Sequence, residues 1–339
     1  MSNFKAINYN GNSKKVTQLN KLQINSKDFV QKKIGISNKV IASFLNINDY
    51  KDQIVENTEE ADSKFFNSLA IKTEFPLIKT NKVIDEILTP TTFIKYTNGS
   101  MEDISDKQQI LQVKDVFSIN RISSNDNIDT GASLGYGLDY RINKKNLDNK
   151  IFLSNSFFIG QVINHKKNSN KPDSSSLNEK KSNFVGKYEF NFDNNNESKN
   201  ILDNFDLSYN FNLSDDLNKI LRNQLDANFK NNNNNFNVSY YETHDIDNSQ
   251  YIEGKYLRKF NENFNFLIGG RKNLETSRSD NNFLEINYES DCLKLGFNLS
   301  KKFYNEDDIK STNSLTFFVV LKPFGQPLAP DLTSLVNAN

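Results

Sequence analysis

From residue 130 onward the chain repeats one pattern, an alternation of apolar and polar side chains with a period of two. Leu134, Tyr136, Leu138 and Tyr140 alternate with Gly135, Gly137, Asp139 and Arg141. Phe184, Gly186, Tyr188, Phe190 and Phe192 alternate with Val185, Lys187, Glu189 and Asn191, and Leu207, Tyr209, Phe211 and Leu213 with Ser208, Asn210 and Asn212. Phe236, Val238 and Tyr240 interleave with Asn237, Ser239 and Tyr241. Near the end, Leu293, Leu295, Phe297 and Leu299 alternate with Lys294, Gly296, Asn298 and Ser300. A β-strand sends successive side chains to opposite faces, so each run has one apolar and one polar face. Turn signals separate the runs at Ser214-Asp215-Asp216, Asn261-Glu262-Asn263, Ser279-Asp280-Asn281 and Glu306-Asp307-Asp308.

In the N-terminal third, segments 15–30, 39–48, 65–80 and 82–97 read as strands, with Pro76 and Pro90 marking edges or bends. Short turns alternate with longer polar loops such as 166–182, the asymmetry of an outer-membrane barrel. A β-sandwich or β-solenoid would also alternate, but sandwich strands usually run about 5–6 residues. These run nearer ~10–12, which a tilted membrane strand requires, and aromatics sit near their ends as interfacial girdles do. The pattern predicts an all-β, antiparallel transmembrane β-barrel with roughly 14–16 strands present. No helix of useful length is predicted.

Composition refines this picture. The 339 residues carry 42 basic and 42 acidic side chains, and the mean hydropathy is −0.67. That is too polar for a helical membrane protein, and no stretch reaches the ~18 apolar residues of a spanning helix. A barrel tolerates it, because only every second strand residue faces lipid. Disorder is opposed by 27 Phe and 13 Tyr. The balanced charge opposes nucleic-acid binding, which needs a basic face. The opening MSNFKAINYN has no apolar h-region, so the chain is expected to be a fragment of an exported protein and a partial barrel. Missing strands would leave two unpaired edges in lipid. One cysteine, Cys292, excludes an internal disulfide.

Residues 115–140, DVFSINRISSNDNIDTGASLGYGLDY, resemble a segment of the LptD family of lipopolysaccharide-assembly proteins. In it a Phe-Ser-x-Asn-Arg core, a polar stretch with an acidic residue and a Gly-rich Tyr-Gly strand follow one another. The matching positions are Phe117, Ser118, Asn120, Arg121, Asp126, Gly131, Tyr136 and Gly137. Ile122-Ser123-Ser124 departs mildly from the family's usual Phe-Ser-Gly. Phe158-Ile159-Gly160-Gln161 is similar to a short Gly-Gln element, and the closing stretch to Phe324 is similar to the family's last strands. The resemblance divides the chain into N-terminal strands over 1–64, an LptD-like C-terminal barrel over 65–324 and a free tail over 325–339.

The resemblance implies transport and not catalysis: lipopolysaccharide enters the outer leaflet through a wet lumen for sugars and phosphates and a lateral seam for acyl chains. It implies the cell outer membrane of a diderm bacterium. The implied partners are lipopolysaccharide, the plug lipoprotein LptE, the periplasmic bridge protein LptA and outer-membrane lipids. In the family the seam joins first and last strands, so 314–323 would form one side. Two readings stand for Arg121: contact, with Asn120 and Asp126, to lipopolysaccharide phosphates or LptE, or a polar network fixing an in-folded loop. A cysteine in the position of Cys292 pairs in the family with one in the N-terminal periplasmic domain; the other reading is a thiol without a role.

Other chemistry finds little support. His165 and His244 have no Cys or His at metal-ligand spacing, and neither sits beside a Ser in an apolar wall as a barrel hydrolase would require. Gly269-Gly270 and Gly135-x-Gly137 read as close approaches or bends in strands and not as phosphate loops. No catalytic residue, cofactor or metal is therefore expected. A general porin or channel is the alternative function, and a cell-surface structural β-protein is a further one.

Overall fold

A computed structural model describes residues 2–8, 13–31, 35–53, 58–124, 127–193, 203–244, 249–302, 312–322 and 327–328; side chains are described from residue 17 onward, excluding 50–53, 58–61 and 327–328. Its strands are β1 (Ser2–Asn8), β2 (Ser13–Asn25), β3 (Phe29–Gln31), β4 (Ile36–Gln53), β5 (Thr58–Glu74), β6 (Leu77–Thr80) and β7 (Ile84–Asn98). After the four-residue helix α1 (Val113–Val116) come β8 (Gly131–Lys145) and β9 (Ile151–Asn164). A 3-10 turn (Asp173–Ser175) precedes β10 (Phe184–Asp193), β11 (Asn204–Leu213), β12 (Ile220–Asn231) and β13 (Asn234–Thr243). The last are β14 (Ser249–Lys259), β15 (Phe264–Asn273), β16 (Ser279–Glu289), β17 (Leu293–Lys302), β18 (Thr312–Leu321) and β19 (Pro327–Leu328).

All pairings are antiparallel, and each strand pairs with its neighbours in sequence, so the sheet is one long meander. The nineteen strands fill seventeen positions, because β2 and β3 both pair with β4, and β5 and β6 both pair with β7. The last position is the two-residue β19, which lies on Val319 and Val320. The other sixteen agree with the expected count. The expected boundary at 64/65 falls inside β5, so the sheet runs across it. Of the tail over 325–339, only Pro327 and Leu328 are described, and Phe324 and position 323 lie outside the described residues. Among the described residues the sheet is not closed, as expected of a partial barrel.

The two prolines fit the break between β5 and β6. Pro90 lies where the partner strand changes, between residues paired with β5 and residues paired with β6. Its missing N–H therefore costs no ladder bond, while its carbonyl accepts from Phe75 N–H at 3.0 Å.

Burial is distributed inside out. On β7, Ile94 and Tyr96 are 60% and 58% exposed, whereas Lys95 and Thr97 between them are 1% and 2% exposed. On β5, Leu69 is exposed and Ser68 buried. A soluble sheet would bury the apolar face, so an apolar outer face belongs against lipid. Phe190, Phe205, Phe229 and Phe236, on four successive strands, form a row of ring contacts with centroids 5.7, 4.6 and 6.4 Å apart on that face, close to one rim. Among the described residues no helix is long and apolar enough to cross a membrane.

The two rims differ. Residues 232–233, 260–263 and 290–292 make tight turns at one rim, where β1 also begins and β18 ends. The opposite rim carries the long segments 99–130 and 165–183. The longer polar loop expected over 166–182 is present at that rim, and it turns inward. Lys171, Ser175, Leu177 and Ser182 are all at most 2% exposed, because this segment folds inward onto segment 99–130. Together the two cover part of the inner side of the sheet as a plug.

Candidate functional site

The plug is built from residues without periodicity, so side chains supply what ladder bonds cannot. Leu111, Val116 and Leu177 pack with Phe158, Val162 and Val185 of β9 and β10. On the other flank Ile128 packs with Leu45, Ile47 and Phe66 of β4 and β5. The Asn212 amide of β11 donates to the Leu111 carbonyl at 2.9 Å. The plug thus touches the inner face from β4 to β11, and that half of the sheet wraps around it.

At the centre lies a buried ionic knot. Both side-chain nitrogens that reach Asp129 Oδ2 come from within the core: Lys95 Nζ of β7 at 2.5 Å and Arg121 Nη1 at 3.2 Å. Lys171 Nζ approaches Oδ1 at 2.7 Å as an ion pair, off the hydrogen-bond direction. Side-chain exposure is 0% for Lys95, Arg121 and Asp129 and 3% for Lys171. Three cations facing one carboxylate would be costly if left so. Backbone oxygens and one hydroxyl carry the surplus: Lys95 also donates to Ile119 O and Asp129 O, and Arg121 to Asp115 O, Val116 O and Ser133 Oγ. Burial by itself would raise the Asp129 carboxyl, but Lys95, Lys171 and Arg121 hold it well below the usual carboxylate range. Burial also lowers Arg121, against the pull of Asp129.

The motif residues fall around this knot. Arg121 is 1% exposed with its guanidinium engaged on all three nitrogens, so the geometry supports a network that fixes an in-folded loop. Asn120 helps shape it: its Oδ1 accepts from Ile122 N–H at 3.2 Å and Asp129 N–H at 3.1 Å. Ser118 Oγ donates to Asn120 O at 2.7 Å. Phe117 meets Phe158 edge-on at 5.8 Å, with Lys72 Nζ 5.6 Å from its ring centroid. Asp126 lies outside the described residues.

Gly131 opens β8 at φ +97°, a conformation that glycine adopts without strain. Gly137 admits the Phe158 ring, 2.8 Å from where a Cβ would stand. Tyr136 is on the opposite, outer face, with its hydroxyl donating to Gln161 Oε1 at 2.5 Å. Cys292 is an exposed free thiol in the β16–β17 turn, at the rim where β1 begins, and its carbonyl accepts from Lys322 N–H at 3.0 Å. His165 is exposed; His244 Nε2 lies 3.3 Å from a Glu242 oxygen. Among the described residues no group of His, Cys, Asp or Glu could hold a metal.

Sequence reasoning missed Lys95, Asp129 and Lys171. A signal for Lys95 was available: it is the one charge in Phe93-Ile94-Lys95-Tyr96, alternating with outward apolar residues. It also missed how Gly135 serves the plug. A Cβ there would run into the Val116 carbonyl oxygen, so the plug backbone lies directly on the wall.

Beyond the plug, from β12 to β17, the inner face is open and polar. A groove of about 1020 Å³ is lined by Glu253, Lys255, Arg271, Glu285, Asn298 and Lys302, among others. Charges of both signs alternate there, with Lys255 paired to Glu253 and Arg271 to Asp280. Such a wall can hydrate a polar chain without holding it as one strong counter-charge would.

No curated protein matches the chain. The model of one family, LptD, described as LPS transport system D, matches residues 50–272, from the end of β4 to β15 with the whole plug between. This match covers more than half of the 339 residues, and with the plugged, inside-out sheet it shows that the chain belongs to the LptD family of lipopolysaccharide-transport proteins.

Proposed function

We propose that this chain forms the wall of an outer-membrane translocon that delivers lipopolysaccharide to the outer leaflet. The reading is carried by the division of the sheet into an apolar outer face and an inner face that is half plugged and half open, polar and of mixed charge. An amphiphile needs both environments at once, because burying its sugars or wetting its acyl chains costs free energy. The open half serves the sugars and phosphates, and the edge of β18, which β19 meets at Val319 and Val320, serves as one side of a lateral seam for the acyl chains. LptA would deliver the cargo at the rim of tight turns, and LptE would occupy the concave side. The rim bearing the plug segments faces the cell exterior, by the asymmetry of turns and loops. No bond is made or broken, so the work is transport and not catalysis.

Depletion of the chain in its own host, followed by pulse labelling of lipopolysaccharide and surface antibody binding, tests this. New lipopolysaccharide should accumulate on the inner side while surface labelling falls. Unchanged delivery to the surface would overturn the reading.

A further inference from the structure

On the inner wall of β12–β15, four side chains form a continuous stack. Arg222 Cζ lies 5.4 Å from the Tyr241 ring centroid, Tyr241 and Tyr251 stack at 4.9 Å with planes 21° apart, and Arg271 Cζ lies 4.8 Å from Tyr251. The register explains it: Tyr241 is directly opposite Tyr251, and the two arginines are on the flanking strands on the same face. Stacking occupies the faces of the guanidinium groups and fixes their planes, leaving the N–H edges to bind something else.

Those edges are incompletely used. Arg271 gives its Nε to Asp280 at 2.8 Å, while its terminal nitrogens make no hydrogen bond among the described residues. Arg222 gives one terminal nitrogen to Gln224 at 2.6 Å, and its buried Nε has no partner. The unpartnered buried Nε of Arg222 is an exception that asks for a ligand, and the solvent-facing terminal nitrogens of Arg271 are free to join it in receiving an anion. Arg271 also lines the open groove, which continues past Asn298 to Lys302.

The other cavity of note, about 770 Å³ between β2, β4 and residues 117–128, is bounded on one side by the plug. Among the described residues its one lining cation is Lys21.

We propose that the Arg222–Tyr241–Tyr251–Arg271 stack and the groove beside it are the contact site for the anionic saccharide part of the cargo, with the arginine edges receiving its phosphate or carboxylate groups. The sugar chain therefore follows the β12–β17 wall, close to the rim that bears the plug segments, and not the β2–β4 side. This rests on the transport reading above.

Photo-crosslinking in living cells tests it, with a benzophenone amino acid in the full-length protein at Asn273 or Asn298, and at Gln23 or Ser123 for comparison. The host's own lipopolysaccharide is the probe, detected by antibody on the adduct. Adducts should form at Asn273 and Asn298 and be scarce at Gln23 and Ser123. Arg222→Ala with Arg271→Ala should lower the Asn298 adduct about tenfold, the scale of a lost charge-assisted bond, while Arg→Lys at both positions should retain part of it. Heat-modifiable gel mobility identifies variants that still fold. Equal or stronger adducts at Gln23 and Ser123, or an Asn298 adduct indifferent to folded arginine variants, would overturn the site and leave the transport reading standing. Absence of adducts at all four positions, together with normal surface delivery on depletion, would overturn both.

Discussion

Replacing Asp129 with asparagine removes the one anion from a site in which three cations lie 2.5, 2.7 and 3.2 Å from its carboxylate. At an effective dielectric of about 20, each such contact amounts to about 5–7 kcal/mol before desolvation. Much of that is spent in taking the charges out of water, and breaking a buried pair by removing one partner typically costs about 3–5 kcal/mol. Here the loss strands three cations, whose backbone contacts do not cancel their mutual repulsion. The Asp129→Asn cost should therefore lie at the upper end, near 5 kcal/mol. The cost should fall on the plug first, since the sheet has its own ladder. Limited trypsin digestion of the folded protein reads this out: cleavage at Lys107 and Lys114, in the plug, should become rapid while the barrel core persists. Urea unfolding gives the total. A variant with parental trypsin resistance and a stability loss under about 1 kcal/mol would refute the idea that the knot anchors the plug, since that is the range of an exposed pair.

Acid should act on the same group. Because its folded pKa is depressed, Asp129 contributes stability above its unfolded value of about 3.9 that disappears as pH falls further, so trypsin resistance, read after brief acid exposure, should hold at pH 5 and fail only below about pH 4. Gly135→Ala should cost about 1–3 kcal/mol, because its Cβ would overlap the Val116 backbone oxygen deeply, whereas Gly137→Ala meets the movable Phe158 ring at 2.8 Å and the Ile159 carbonyl oxygen at 2.9 Å, a shallower overlap that should cost less; denaturant titration compares them. Ile94→Arg, on the exposed apolar face, should destabilise the protein folded in bilayers by about 2–4 kcal/mol in denaturant titration, while Asn210→Arg on the inner face should be nearly neutral. Cys292 should react rapidly with maleimide in this chain and be protected when an N-terminal periplasmic domain is joined to it, if the pairing implied by the family forms.

The sheet was legible because lipid and water impose opposite demands on its two faces, and alternation records that directly. Strands β8 to β18 follow the runs around Leu134–Tyr140, Phe184–Phe192 and Leu293–Leu299 closely. The plug left no such record. Residues 99–130 and 165–183 satisfy their backbones with irregular side-chain bonds, which have no period to detect. The knot was half visible: Arg121 was singled out, with Asp126 as the acidic residue of the motif, but the carboxylate that meets Arg121 is that of Asp129. Nothing in Asp126-Asn127-Ile128-Asp129 ranks one carboxylate above the other until Ile128 is seen packing on Leu45, Ile47 and Phe66. Lys171 comes from a segment 42 positions downstream of Asp129, a distance that a sequence pattern does not bridge. The Arg–Tyr stack was missed for a related reason. Its members sit one per strand, so their adjacency exists only across the sheet.

The meander pairs neighbours only, so any hairpin could form and add to the next with little loop-closure cost. Ladder bonds of that kind fix register but not how tightly the ribbon curls. The bond from Asn212 to the Leu111 carbonyl, spanning 101 residues, is different in kind, because it ties β11 to a segment that also rests on β4. Curvature over that arc is thus set by an internal mould. Assembly of this half should therefore follow the seating of the mould, a requirement that the ladder of β12–β18 does not impose by itself.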